Sequence, residues 1–261
     1  KRIKPFFDDK TQTDLNSYWI YSILHSSFIL DDKKLFEQAN EYFNNLKKIL
    51  SKNVFHCYNK DRKEIDVFLE DYSYFCLLLV SMYEIKNDKE SVKLCSELMK
   101  YTWENFYDKE NVILQKNIKI NNDLFVKPID IIDNNIPNGN SIFLLVCNKL
   151  FNITGDTFWE KKIVNLKKSF HSFLNNSFSQ MFSYIKIIDI CEQNLTITFH
   201  GNNEELKQIK ESLIKDYFET ATFIYKNNEN DNFVIVCKNQ TCSEKLKNIE
   251  DVKKYLNEKL I

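Results

Sequence analysis

One order of signals recurs three times along this chain: a short polar motif, a long apolar run of helical character, an Asp-bearing turn and a second helical segment. The motifs are Asp8-Asp9-Lys10 with Thr13-Asp14-Leu15-Asn16, then Leu69-Glu70-Asp71-Tyr72, then Pro137-Asn138-Gly139-Asn140-Ser141. The apolar runs that follow cover residues 18–30, 74–85 and 142–153. Their turns read Leu30-Asp31-Asp32, Lys86-Asn87-Asp88 and Gly155-Asp156, and in each the last Asp is a good N-cap for the outgoing helix. One helical face then repeats, with Ala39, Cys95 and Ile163 seven positions after the Asp, and Tyr42, Leu98 and Leu166 ten positions after it. Helical hairpins that cannot bury both faces alone stack on their neighbours. Stacked in register, these three put all their motifs on one rim.

A fourth inner helix, about residues 178–191, follows without an obvious outer partner. Near Leu195 the periodicity changes. Residues 195–199, 222–225 and 233–236 are rich in β-branched and aromatic side chains and read as strands, with helical runs at 204–217 and 251–260. The chain is therefore expected to be mostly α: a partial (α/α)6 barrel of helical hairpins over residues 1–192, followed by a small α/β subdomain over 193–261. Three and a half hairpins do not close a six-hairpin ring, and the start at Lys1 rather than Met leads us to expect that the other half precedes it. Such an open half-barrel would expose an apolar flank and tend to self-associate.

With 261 residues, 43% hydrophobic and 28% charged, the chain has enough apolar mass for the core of an ordinary soluble protein. A net charge of -1 offers no general attraction to nucleic acid or an anionic membrane. No run reaches the roughly 18 apolar residues of a membrane span, and no signal-peptide pattern opens the chain. The seven cysteines form no even, closely spaced framework. Cys76, Cys95, Cys147 and Cys191 fall in apolar helical patterns, where a reduced thiol serves as a small hydrophobe. We therefore expect a reducing compartment, by default the cytoplasm.

The rim residues are the candidates for chemistry. Asp8 and Asp9 place paired carboxylates beside Lys10, which suits hydroxyl binding or acid–base work with split pKa values. The same residues also suit a solvated loop at a helix N-terminus, with Asp14 or Thr13 as a good N-cap. Glu70 and Asp71 stand at the mouth of the most apolar helix, where unpaired acids are costly to bury and need a partner, a ligand or a capping role. These four are the expected catalytic groups; Lys10, Asn16, Tyr72, Gly139, Asn140 and Ser141 are the expected substrate-binding ones. Tyr72 and Tyr74, with Tyr18, Trp19 and Tyr21, can line a sugar-stacking cavity or simply form core. Gly139, one of three glycines, signals a positive φ or a close approach. Lys127, Pro128 and Asp130 extend the polar approach to the rim. Of four scattered histidines, only His56 lies at the motif end and suits an acid–base role. Cys237 and Cys242 are the one close cysteine pair. By spacing they can form a disulfide or half a metal site; we expect two reduced, structural thiols, since no second Cys or His pair completes a zinc set. No phosphate-binding glycine loop, nucleophile elbow or zinc-protease motif is present, and no cofactor or metal is expected.

At these motifs the chain resembles the C-terminal part of the thioredoxin-domain-containing family typified by bacterial YyaL and animal spermatogenesis-associated protein 20. Asp8-Asp9-Lys10, Thr13 and Leu15-Asn16-Ser17 match that family's Asp-Asp-Lys, Thr and Trp-Asn-Gly, and Glu70-Asp71-Tyr72 matches its acidic pair and Tyr. Residues 137–141 match Pro-Ser-Gly-Asn-Ser, and Cys237, Thr241, Cys242 and Ser243 match a closing Cys and Thr-Cys-Ser. Leu15 and Ser17 depart from the family's Trp and Gly, Phe7 stands where a His is usual, and Lys245 where a Pro is. The resemblance implies an N-terminal thioredoxin-like domain outside this chain, and a barrel similar to N-acylglucosamine 2-epimerases and six-hairpin glycosidases. It thus implies an enzyme acting on a small carbohydrate or similar polyol. The alternative is a non-catalytic module that binds a client or redox partner for the thioredoxin-like domain.

Overall fold

Each of the three turns is built the same way: one residue takes a left-handed backbone, and the Asp after it caps the next helix. Asp31, Asn87 and Gly155 have φ of 53°, 58° and 67°. Asp32, Asp88 and Asp156 then accept backbone N–H groups of the following turn, Asp32 from Lys34 and Leu35 at 2.9 and 3.1 Å. The turns join α1 (Thr13–Ile29) to α2 (Lys33–Leu50), α3 (Leu69–Lys86) to α4 (Lys89–Phe106), and α5 (Gly139–Thr154) to α6 (Thr157–Ser177). A single 3-10 turn and α7 (Phe182–Gln193) follow. The computed structural model describes all residues except 1, 4, 6–8, 60–62, 65, 119–128, 227–230, 240 and 261.

Helices α1, α3, α5 and α7 form an inner layer, each packed on the next, and α2, α4 and α6 back them from outside. This layering explains why the inner runs are so apolar. Flanked by α1, α4 and α5, α3 is buried at every residue from Leu69 to Ile85. The outer helices need only one apolar stripe: α2 buries Ala39, Phe43, Leu46 and Leu50 and exposes Glu37, Glu41 and Lys48.

Short strands close the motif end. β1 (Thr11–Gln12), β2 (Cys57–Tyr58) and β3 (Lys63–Glu64) make one antiparallel sheet, and β4 (Tyr107–Asp108) pairs with β5 (Ile113–Leu114). At the other end, β6 (Leu195–His200), α8 (Glu204–Tyr217) and β7 (Ala221–Lys226) form a parallel crossover. β8 (Phe233–Lys238) and β9 (Thr241–Cys242) extend that sheet antiparallel in the order β7-β6-β8-β9, with α9 (Ile249–Leu260) against β8. A buried ion pair pins this sheet to the C-terminal halves of α3 and α5. Lys149 Nζ donates to Glu84 Oε1 and Oε2 at 2.8 and 3.0 Å and to the Ala221 carbonyl at 2.9 Å; the Phe223 N–H donates to Glu84 Oε1 at 3.2 Å. One cluster of buried apolar side chains runs from Ile20 in α1 to Leu256 in α9. The fold is the expected one, a partial helical toroid with a small α/β tail. No helix among the described residues is long and apolar enough to cross a membrane.

Two expectations are corrected. Cys237 and Cys242 are joined by a disulfide and are not reduced thiols. The tight turn between β8 and β9 sets them directly opposite each other with Cα atoms 4.0 Å apart, close enough to bridge. Nor does Thr13 or Asp14 cap α1. Gln12 holds the cap position without a side-chain bond, because Thr13 is engaged elsewhere: its N–H donates to the His56 carbonyl at 2.9 Å and its Oγ1 to the Phe55 carbonyl at 2.5 Å.

Candidate functional site

Those Thr13 bonds set the geometry of the rim. They draw the segment after α2 over the start of α1, bringing His56 to the first turn of α3. A second long-range bond, from the Leu69 N–H to the Lys116 carbonyl at 2.9 Å, places Lys116 beside the same turn.

Asp71 is fully buried at the centre of this arrangement. Its Oδ2 accepts the Phe68 N–H at 2.8 Å, half of a capping box, and its Oδ1 accepts the Asp14 N–H at 3.3 Å. His56 Nδ1 lies 3.2 Å from both oxygens. Burial pushes the Asp71 carboxyl up, and the His56 and Phe68 hydrogen bonds oppose that rise. Asp14, His56 and Asp71 bring potential ligand atoms within 4.8 Å of one another. Both Asp71 oxygens already accept from protein donors, whereas Asp14 and His56 border the cavity beside Glu70.

Glu70 differs from its neighbour. It is 9% exposed, and its Oε2 is buried with no hydrogen-bond partner. It lines a cavity of about 330 Å3 together with Asp14, His56, Lys116, Asp130 and Asn138. Burial raises its pKa from 4.5 to about 7, against the smaller pull of its own backbone N–H and of Lys116. Across the cavity Lys116 and Asp130 form a 3.5 Å ion pair.

Asn138 caps α5 through the Ser141 N–H at 2.9 Å, and is itself held by Asp133. Gly139 sits at a close approach and does not adopt a positive φ. A Cβ there would lie 3.1 Å from Leu69 Cγ and 3.2 Å from Glu70 N and Oε1. The tight neighbour is thus the start of α3. Gly139→Ala is expected to lower stability by about 1 kcal/mol in urea unfolding, although alanine favours helix, because crowding of this kind typically costs about 1–3 kcal/mol.

The remaining candidates scatter. Asp8, Lys127 and Pro128 lie outside the described residues. Asp9 is exposed and accepts the Asn59 amide at 3.2 Å; Lys10 is exposed beside β1; neither lines the cavity. Asn16 donates to the Gln12 carbonyl at 2.7 Å, at the cap of its own helix. Tyr72 turns outward onto Tyr101 and Phe106 of α4. Asn140 is buried and its amide bridges the Leu114 N–H and C=O and the Asp130 carbonyl, so it builds the wall. Ser141 is buried with an unpartnered Oγ. Trp19 packs at a tilt on Tyr42 at the surface, whereas Tyr18 packs inward on Tyr74. Sequence reasoning missed Lys116 altogether and read Asp14 only as a cap.

No family model matches the sequence, and no curated protein matches it. Solved structures do. An α-mannanase of glycoside hydrolase family 76 from Bacteroides thetaiotaomicron shares 12% identity over 87% of this chain and 66% of its own, with a TM-score of 0.54. A family 76 glycoside hydrolase from a bovine strain of that species shares 10% identity over 62% of this chain and 35% of its own, at 0.50. Cellobiose 2-epimerase from Bacillus thermoamylovorans shares 13% over 61% of this chain and 44% of its own, at 0.49. The chain thus spans no more than 66% of any of these three structures. At such identities the likeness shows the fold alone, part of an (α/α)6 toroid.

Proposed function

We propose that the cleft at the N-terminal ends of α1, α3 and α5 binds a carbohydrate or similar polyol and acts on it by acid–base chemistry, with Glu70 moving the proton. One observation carries this reading: a buried carboxyl with a free oxygen and a pKa of about 7, lining a cavity of ligand-binding size. At neutral pH both its protonation states are populated, which is what efficient proton transfer requires. Asp71 fixes the His56 ring beside it. Asp14 and the Lys116–Asp130 pair are the hydroxyl-binding groups.

The fold shared with the α-mannanase supports a sugar as the class of ligand. The motif matches favour a protein of the thioredoxin-domain-containing kind, in which this chain handles the ligand. The test is a thermal-shift panel of mannose and glucose mono- and oligosaccharides at pH 7. At least one is expected to raise Tm, and Asp130→Asn to remove the shift. A flat panel, with stabilisation instead by a thioredoxin-like protein, would favour the client-binding module.

A further inference from the structure

Behind the cleft lies a second compartment that acid–base chemistry does not use. A hollow of about 360 Å3 sits among the four inner helices, walled by Tyr18 of α1, Leu77 of α3, Ile142 and Leu145 of α5, and Ile187 and Ile190 of α7. Its tail side is closed by Glu219, which pairs with Lys186 of α7 and lies 3.7 Å from His25 Nδ1 of α1. The rim side is the loop before α5: Asn134, Ile136 and Pro137 line both this hollow and the Glu70 cavity. That loop is pinned. The Tyr74 hydroxyl donates to the Pro137 carbonyl at 2.5 Å, and Asp133 accepts from the Ser183 N–H and Oγ at 2.7 and 2.5 Å.

The hollow is poorly suited to hydroxyls. Its walls are mostly aliphatic and aromatic, its uncharged polar lining is Asn134, Asn135 and Ser183, and its charged groups are committed, Asp133 to Ser183 and Asn138, and Lys186 to Glu219. A sugar ring placed among the helices would leave the hydroxyls that face Leu77, Ile142, Leu145, Ile187 and Ile190 without partners. An apolar group would gain by leaving water and would find the Tyr18 ring to pack on. The volume is that of a small-molecule site, within the usual range of roughly 300–1,000 Å3.

We infer that the hollow is the apolar half of one composite site and that its ligand is amphiphilic. An apolar ring or short chain fills the space among the inner helices, and a polyol head meets Glu70. Asn134, exposed at the junction and lining both compartments, touches both halves. The head assignment rests on the proposed function; the apolar half stands on its own lining.

The test separates the two. Fluorescence titration of the full chain with 2-naphthol should show saturable one-to-one binding. Leu145→Trp, which fills the hollow, should weaken it at least tenfold, and Glu70→Gln should leave it unchanged. Ile187→Phe fills the space from another helix and replaces the first variant if that one does not fold. For the sugar that raises Tm in the panel, the phenyl glycoside should bind at least tenfold tighter than the methyl glycoside, and Leu145→Trp should erase the difference. Absence of saturable naphthol binding, or binding undiminished in both filled variants, overturns the hollow as a site even where a sugar raises Tm. Naphthol binding with no sugar response overturns the polyol head and leaves the apolar half in place.

Discussion

Glu70→Gln is expected to lower turnover by about 10²–10⁴-fold and, in the same protein, to raise stability above neutral pH. The two effects share one cause. Folding buries this carboxyl and moves its pKa from 4.5 to about 7, so the folded state favours the protonated form. Below pH 4.5 folded and unfolded chains both carry the proton, and nothing is lost. Between pH 4.5 and 7 the unfolded chain ionises while the folded chain keeps its proton, so stability falls by up to roughly 3 kcal/mol, and it levels off above pH 7 where both are ionised. Glutamine keeps the shape and cannot ionise. Urea unfolding at pH 5 and pH 8 should therefore show a flatter pH dependence in the variant, while its turnover at pH 7 collapses. Undiminished turnover would remove Glu70 from the chemistry. Lost turnover with an unchanged pH dependence would mean that its titration is not what matters.

Glu70 also shows where the sequence was legible and where it was not. The helical layers follow from local signals: the residues before Asp32, Asp88 and Asp156 reverse the chain, those Asp side chains cap, and apolar runs at helical spacing bury themselves. Rim chemistry depends on facing. Successive helix residues point roughly 100° apart, so Glu70 lines the cleft, Asp71 turns into the core against His56, and Tyr72 faces α4. A motif of three polar neighbours does not reveal which of them a ligand would meet. Asn140 shows the same problem: a polar residue on the rim whose amide is wholly used to hold Leu114 and Asp130. Lys116 stayed hidden because the Leu69–Lys116 backbone bond and the Phe68–Asn117 bridge bring it to the site, and no local pattern encodes that pairing. The Cys237–Cys242 bond stayed hidden because the apolar helical settings of the other cysteines say nothing of the register across the β8–β9 turn.

Lys149→Met is expected to destabilise the fold by about 3–5 kcal/mol, although it lies at the end of the inner helices away from the cleft. The Lys149 side chain is 3% exposed and that of Glu84 0%. Burial pushes the Glu84 carboxyl up, and the neighbouring ammonium of Lys149 is what chiefly holds it down. Removing that ammonium leaves Glu84 with the Phe223 N–H, deprives the Ala221 carbonyl of the Lys149 donor, and leaves the Asn152–Thr222 hydrogen bond to join β7 to α5. Unpaired, Glu84 would take up a proton at low pH and be forced to ionise at high pH. The loss should therefore grow as pH rises, and urea unfolding at pH 6 and pH 9 would show it. Hydrogen exchange at the Phe223 amide, now held against a group that prefers to be neutral, should accelerate with it. Glu84→Gln combined with Lys149→Met should recover more than half of the loss, because a buried ion pair replaced as a pair often costs little, whereas half of one is an uncompensated charge. A single-variant loss below about 1 kcal/mol would mean that the pair is not desolvated and that apolar packing, not Glu84 and Lys149, fastens the sheet to the helices.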